Sequence, residues 1–222
     1  MKNALKIISI LFFLMAIQTQ AQESQQYNAW NALFTSYSLT TSSSLLLEKH
    51  YRTKSFYSVQ DQILIRPSIN HKISKNATLS VGYTYISNGL GSNRVSENNL
   101  WEQLFVNYPI TKSLRGFAWI RTEHRWVDSG SVNFSTRIRL RNGFTYPLNQ
   151  KGLNLMAYNE VFLNFSNSFP AQFNQNWNFI GFSKQLSERL RLQSGYQRTS
   201  VNKNYGVLAK NIWFTILFWK LQ

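Results

Sequence analysis

Apolar and polar side chains alternate one for one through stretches of about ten residues, again and again along the chain, and this constrains the fold more than any other feature. The pattern is cleanest over Val132–Tyr146. One phase reads Val132, Phe134, Thr136, Ile138, Leu140, Asn142 and Phe144; the other reads Asn133, Ser135, Arg137, Arg139 and Arg141. The next segment sets Leu153, Leu155, Ala157, Val161, Leu163 and Phe165 against Asn154, Tyr158, Glu160 and Asn164. Ile63, Ile65 and Ile69 likewise oppose Gln60, Gln62, Arg66, Ser68 and Asn70, and Leu79, Val81, Tyr83 and Tyr85 oppose Thr78, Ser80, Gly82 and Thr84. A period of two belongs to strands, whose successive side chains point to opposite faces, and not to helices.

Eleven strand candidates follow: Tyr27–Leu39, Ser44–Arg52, Ser58–Lys72, Ala77–Ser87, Asn99–Ile110, Leu114–Val127, Val132–Pro147, Leu153–Phe165, Phe173–Gln185, Leu190–Ser200 and Tyr205–Lys220. Their length suits tilted strands that cross a bilayer and exceeds the usual five or six residues of soluble sheets. Five connections are tight, each an apolar residue, a few small or charged ones, then another apolar residue: Leu39 to Leu45, Ile73 to Leu79, Ile110 to Leu114, Leu148 to Leu153 and Leu186 to Leu190. They alternate with more varied polar connections at Thr53–Tyr57, Asn88–Glu97, Asp128–Ser131, Ser166–Gln172 and Val201–Asn204. Short periplasmic turns on one rim and longer extracellular loops on the other define an antiparallel up-and-down transmembrane β-barrel. The expected count is ten to twelve strands. Eleven would put the termini on opposite sides, whereas barrels of this class are normally even-numbered, so twelve is favoured.

The N-terminus agrees. Met1–Ala21 has Lys2 and Lys6, a short apolar core from Ile7 to Ile17 and a small-residue cleavage site at Thr19-Gln20-Ala21, which reads as a cleaved secretory signal. Residues 22–222 then form one barrel domain, located in the outer membrane of a Gram-negative cell. No later stretch is long and apolar enough to cross a bilayer as a helix. The mean hydropathy of −0.30 is no objection, since only alternate residues of a barrel meet lipid.

Without cysteine the chain has no disulfide, thiolate metal site or cysteine nucleophile. It carries 24 Lys and Arg against 9 Asp and Glu. Behind a secretory signal, that surplus points to lipopolysaccharide or a small anionic solute, not to nucleic acid. Further expected partners are outer-membrane lipid and the assembly machinery, which the aromatic-rich final strand Asn211–Lys220 would engage. Histidine, aspartate and glutamate show no metal-ligand spacing, and no cofactor is expected.

Charge on the polar phase is the candidate functional feature. Arg121, Glu123 and Arg125 share one phase; Arg137, Arg139 and Arg141 share another, with Glu160 on the strand after. Centring the two turns places Glu123 opposite Arg137, Arg139 opposite Glu160 within about two residues, and Arg121 beside Arg139. Each arginine would cost roughly 2–4 kcal/mol facing lipid at midplane, so the ladder must face the lumen. It either fills and rigidifies the barrel or lines a narrow, anion-leaning channel. Trp119, Trp126, Trp177, Trp213 and Trp219, with Trp101, are read as interfacial girdle residues.

A lipid or lipid A hydrolase would need a histidine with a serine. His124 falls on the outward phase of Ile120 and Trp126, His71 lies at a turn, His50 shares the phase of Glu48 and Arg52, and no serine stands in a motif with any of them. That activity is the alternative, a secreted soluble β-barrel or sandwich binding protein the second. The expected role is a non-enzymatic barrel, structural or porin-like.

Trp101-Glu102-Gln103-Leu104-Phe105, Arg121-Thr122-Glu123-His124-Arg125, Arg137-Ile138-Arg139-Leu140-Arg141, Tyr158-Asn159-Glu160-Val161-Phe162-Leu163 and Phe173–Gly181, in this order and spacing, resemble the family known as domain of unknown function 2490. The likeness runs from Trp30 to Phe218 and implies an outer-membrane barrel, with no activity attached. The family pattern has an arginine at the position of Trp177 and another near Asn99, which this chain replaces.

Overall fold

The computed structural model of the chain describes residues 23–89, 94–166, 169–203 and 206–221. The signal at Met1–Ala21 and the centre of the connection between Asn88 and Glu97 lie outside the described residues. Eleven strands run in sequence: β1 (Glu23–Ser38), β2 (Ser43–Lys54), β3 (Val59–Lys72), β4 (Ala77–Asn88), β5 (Val95–Pro109), β6 (Arg115–Asp128), β7 (Val132–Pro147), β8 (Leu153–Ser166), β9 (Phe169–Gln185), β10 (Leu190–Lys203) and β11 (Gly206–Lys220). They close into a barrel in which sequence neighbours pair antiparallel.

The favoured count of twelve is corrected to eleven among the described residues, and the closure shows how. β1 pairs with β11 in parallel, from Glu23↔Val207 to Ser36↔Lys220. A ring whose every pair is antiparallel needs an even number; one parallel seam makes an odd number possible. The residues just before Tyr27 belong to β1, and Val59–Lys72 is a single strand, β3, so neither stretch supplies a twelfth. The chain therefore enters the barrel at the end of the varied loops and leaves it at the end of the tight turns.

Those turns close as their sequences suggest. Thr40 Oγ1 accepts from the Ser43 N–H at 2.9 Å, and Thr111 Oγ1 accepts from the Leu114 N–H at 3.0 Å, so hydroxyl side chains satisfy the backbone at two of them.

The two phases of each strand sort cleanly. Ile63, Ile65, Ile69, Leu79, Val81, Leu100, Leu104, Ile120, Phe134, Ile180 and Phe182 stand exposed on the outer face. Tyr37, Tyr146 and Trp219 are exposed towards the turn end, and Tyr27, Tyr51 and Trp126 towards the loop end. The other phase points inward. Eight strands leave an interior that ordinary side chains fill, and eleven enclose a wider one. This lumen is accordingly packed with long or ringed side chains: Trp30, Phe117, Tyr158, Phe162, Trp177, Phe179 and Phe214 form one cluster with Ile212 and Ile216. Inward glycines make room for rings. A Cβ on Gly82 would lie 2.3 Å from Trp101 Cζ2, and one on Gly143 would lie 2.5 Å from Phe117 Cζ.

Candidate functional site in the barrel lumen

The inward charges of β5 to β8 form one zigzag descending from the loop end. Arg125 grips Glu97 with two parallel bonds, Nε to Oε1 and Nη2 to Oε2, both 2.7 Å. Arg137 Nε donates to Glu123 Oε2 at 2.7 Å and its Nη2 lies 3.9 Å from Glu97. Arg139 bridges Glu123 Oε1 at 2.8 Å and Glu160 Oε1 at 2.6 Å. Arg141 Nε donates to Glu160 Oε2 at 2.8 Å. Arg121 donates to Gln103 Oε1 at 3.0 and 2.8 Å and lies 3.9 Å from Glu123. Glu123 and Glu160 are fully buried, and Arg139 is 5% exposed.

Register explains the contacts. Glu123 faces Arg137 and Arg121 faces Arg139 across β6–β7. Across β7–β8 the partner of Glu160 is Arg141, while Arg139 sits opposite Phe162. One glutamate thus serves two arginines, a link that centring the turn places one rung away. Glu97 completes the chain and lies outside the ladder read from the sequence, in which the fifth strand begins at Asn99; β5 begins at Val95 and carries Glu97 on the phase of Asn99 and Trp101.

Five arginines share three glutamates in this zigzag, and aromatic rings take up the surplus. Arg121 lies 4.1 Å from the Trp101 ring centroid and 5.1 Å from that of Trp119. Arg139 lies 4.5 Å from Phe162 and 5.5 Å from Trp177, and Arg141 lies 3.9 Å from Tyr158. Buried cation–π contacts of this kind contribute about 2 kcal/mol or more when desolvated. They correct the girdle assignment of three residues. Trp101, Trp119 and Trp177 are inward and buried, held there as flat faces for guanidinium groups; Trp126, Trp213 and Trp219 are outward and exposed. The signal was present in the sequence, for Trp119 shares the phase of Arg121 and Glu123.

A second buried cluster lies on β2 to β4. Arg66 Nη1 donates to Glu48 Oε2 at 2.9 Å, Arg66 Nε donates to Thr84 Oγ1 at 2.9 Å, and His50 Nε2 lies 3.1 Å from the same Glu48 oxygen. His50 is luminal, packed against Phe34. His124 points outward and pairs with Glu102 at 3.5 Å, one of several polar groups on the outer face, where Asn159 also donates to Asn178 at 2.8 Å. His71 does meet a serine: Ser43 Oγ lies 2.9 Å from its Nδ1 across β2–β3, at the exposed turn end.

Above the zigzag the lumen opens into a cup at the loop end, with a volume of about 330 Å³. Trp30, Trp177, Phe162 and Arg139 line its depth, and Asp61, Asn88, Lys203 and Lys210 its mouth. Arg52 lies 4.0 Å from the Trp30 ring centroid and donates from Nη1 to Gln62 Oε1 at 2.5 Å.

Fold and site together define a closed β-barrel protein bridged internally by ion pairs and rings. The chain belongs to the DUF2490 family, described as protein of unknown function, whose model matches residues 27–208. An uncharacterized protein of Methylorubrum extorquens is 24% identical over 141 residues, a match covering 61% of this chain and 62% of that protein's length. Among solved structures, the translocator domain of autotransporter NalP from Neisseria meningitidis aligns with a TM-score of 0.46 at 15% identity, covering 77% of this chain and 72% of that one.

Proposed function

We propose that this chain is an outer-membrane barrel whose bore is closed by its own side chains, so that it acts as a structural or binding barrel and not as an open channel. One observation carries the reading. The inward residues at mid-height are sealed from water, with Glu123, Glu160 and Ile212 at 0%, Phe162 at 1% and Phe179 at 3% exposure. A continuous aqueous pore would wet its lining. Membrane placement draws on the outer face, where apolar side chains stand exposed around the wall; soluble monomers rarely show contiguous apolar patches beyond a few hundred Å². Lipid is the cover that such a ring requires, with exposed aromatics near both rims at the depth of the headgroups.

The purified, folded protein in a planar bilayer is expected to show no conductance in molar KCl. Stepwise anion-preferring currents, lowered by Arg139→Gln, would replace this reading with the channel. In cells, the protein should need detergent for extraction. Release by salt alone would return it to the soluble class.

A further inference from the structure

We propose that the cup at the loop end is a binding site for a small, water-borne oxyanion, a phosphate or carboxylate group on a solute, with Arg52 as its principal contact. The inference rests on the closed bore, which makes this space a pocket with a floor and not the vestibule of a pore. Seven cationic side chains line it, Arg52, Arg66, Arg125, Arg137, Arg139, Lys203 and Lys210, against two carboxylates, Asp61 and Glu97.

Most of those cations already have carboxylate partners. Arg66 has Glu48, Arg125 has Glu97, Arg137 and Arg139 have Glu123, and Lys210 lies 3.7 Å from Asp61. Asp61 is shared, since Lys54 reaches it at 2.9 Å. Arg52 is different. Among the described residues no carboxylate lies within ion-pair distance of it; its neighbours are the neutral oxygen of Gln62 and the face of Trp30.

Two donors at this spot are also unsatisfied. The Nε of Arg52 and the Nε1 of Trp30 are both buried without a hydrogen-bond partner, and the two residues sit directly opposite one another across β1–β2. Buried N–H groups left unpaired cost about 1–3 kcal/mol each, more when charged. A guanidinium in the lining of the cup, backed by an aromatic plane and surrounded by excess positive charge, suits an oxyanion, which it would meet through its outer Nη edge because Nε is out of solvent reach. At ~30 Å³ per water the cup holds about ten water molecules, room for a phosphate with a small attached ring. The ring of strands is closed, so acyl chains have no side route into it, and the ligand must arrive from water.

The test is titration of the full chain, folded in a zwitterionic detergent, with inorganic phosphate, glucose 6-phosphate and glucose, followed by tryptophan fluorescence and calorimetry. Saturable binding of the two phosphates but not of glucose is expected. Arg52→Gln should weaken it at least about tenfold, as expected when a hydrogen bond from a charged donor is lost. Arg52→Lys should restore part of the affinity, and Lys72→Gln at the opposite rim should leave it unchanged. Should Arg52→Gln not fold, raising NaCl from 50 to 500 mM on the unaltered protein serves instead, and must weaken phosphate binding. Absence of binding at 10 mM phosphate, equal affinity in Arg52→Gln, or binding of lipopolysaccharide alone would each overturn the assignment. Conductance through the bore would refute the closed barrel while leaving an observed phosphate site standing, so the two failures are distinguishable.

Discussion

Glu160→Gln is the sharpest test of the luminal zigzag. The substitution keeps shape and one accepting oxygen but removes the charge that two arginines share. Glu160 is fully buried, with Arg139 at 2.6 Å and Arg141 at 2.8 Å. Removing one member of a buried pair costs about 3–5 kcal/mol, because the charge left behind has been desolvated and is no longer compensated. Arg139 retains Glu123 at 2.8 Å, so its loss is partial. Among the described residues Arg141 retains no carboxylate, but its side chain is 20% exposed and lies 3.9 Å from the Tyr158 ring centroid. Both considerations place the cost at the lower end, about 3 kcal/mol. Urea titrations of the protein refolded into detergent, followed by tryptophan fluorescence, give the number directly. Adding Arg141→Gln to Glu160→Gln removes the orphaned cation, so the double variant should be less destabilised than the two single losses combined, by about 1–3 kcal/mol of coupling. A Glu160→Gln protein within about 0.5 kcal/mol of the parent, the range of an ordinary surface change, would show that the zigzag fills space without holding the wall together.

Two other outcomes follow from inward packing and outward exposure. Gly82→Val should cost roughly 1–3 kcal/mol through overpacking, since its Cβ would meet Trp101 Cζ2 at 2.3 Å and the Pro67 carbonyl oxygen at 2.7 Å; Trp101→Leu in the same chain should relieve part of it, and an unstrained single variant would refute the fit. In vesicles of brominated lipid, the emission lost to quenching should shrink in Trp126→Phe, Trp213→Phe or Trp219→Phe and stay the same in Trp119→Phe or Trp177→Phe, because the first group is exposed on the outer wall and the second is buried inside. An equal change in both groups would overturn the sorting of the two faces.

The strand pattern was legible because arginine and isoleucine cannot exchange faces cheaply. Val132–Pro147 has the bounds expected from its alternation, and nearly every other strand lies within a few residues of expectation. Tryptophan was less legible, since an indole suits a lipid interface and equally suits a guanidinium face. Composition favours the first, while the phase that Trp119 shares with Arg121 points to the second. The role of Glu97 was hidden by the placement of one strand start. Arg141 was matched to Glu160 only by a register that no centring of the turn between Pro147 and Leu153 fixes to better than a rung. The parallel seam was the least visible, because no local residue pattern distinguishes a first strand that meets its last neighbour in parallel from one that meets it antiparallel.

That seam and the aromatic half of the lumen belong together. Parallel pairing is slightly weaker per residue than antiparallel pairing, so β1 and β11 need support beyond their ladder. It comes from inside. Trp30 meets Phe214 edge-on at 6.0 Å, and Phe34 meets Phe218 at 5.0 Å, each contact crossing the seam. Aromatic pairs of this geometry contribute about 0.5–1.5 kcal/mol each beyond their buried area. The ion-paired zigzag occupies β5 to β8 on the other side of the ring, where every strand pair is antiparallel. Trp177 joins the two halves, 5.3 Å from Trp30 and 5.5 Å from the Arg139 guanidinium. The side chains that fill this part of the lumen therefore also support the closing seam. Widening the lumen by trimming Trp177 or Phe214 should loosen the seam before it yields an open pore.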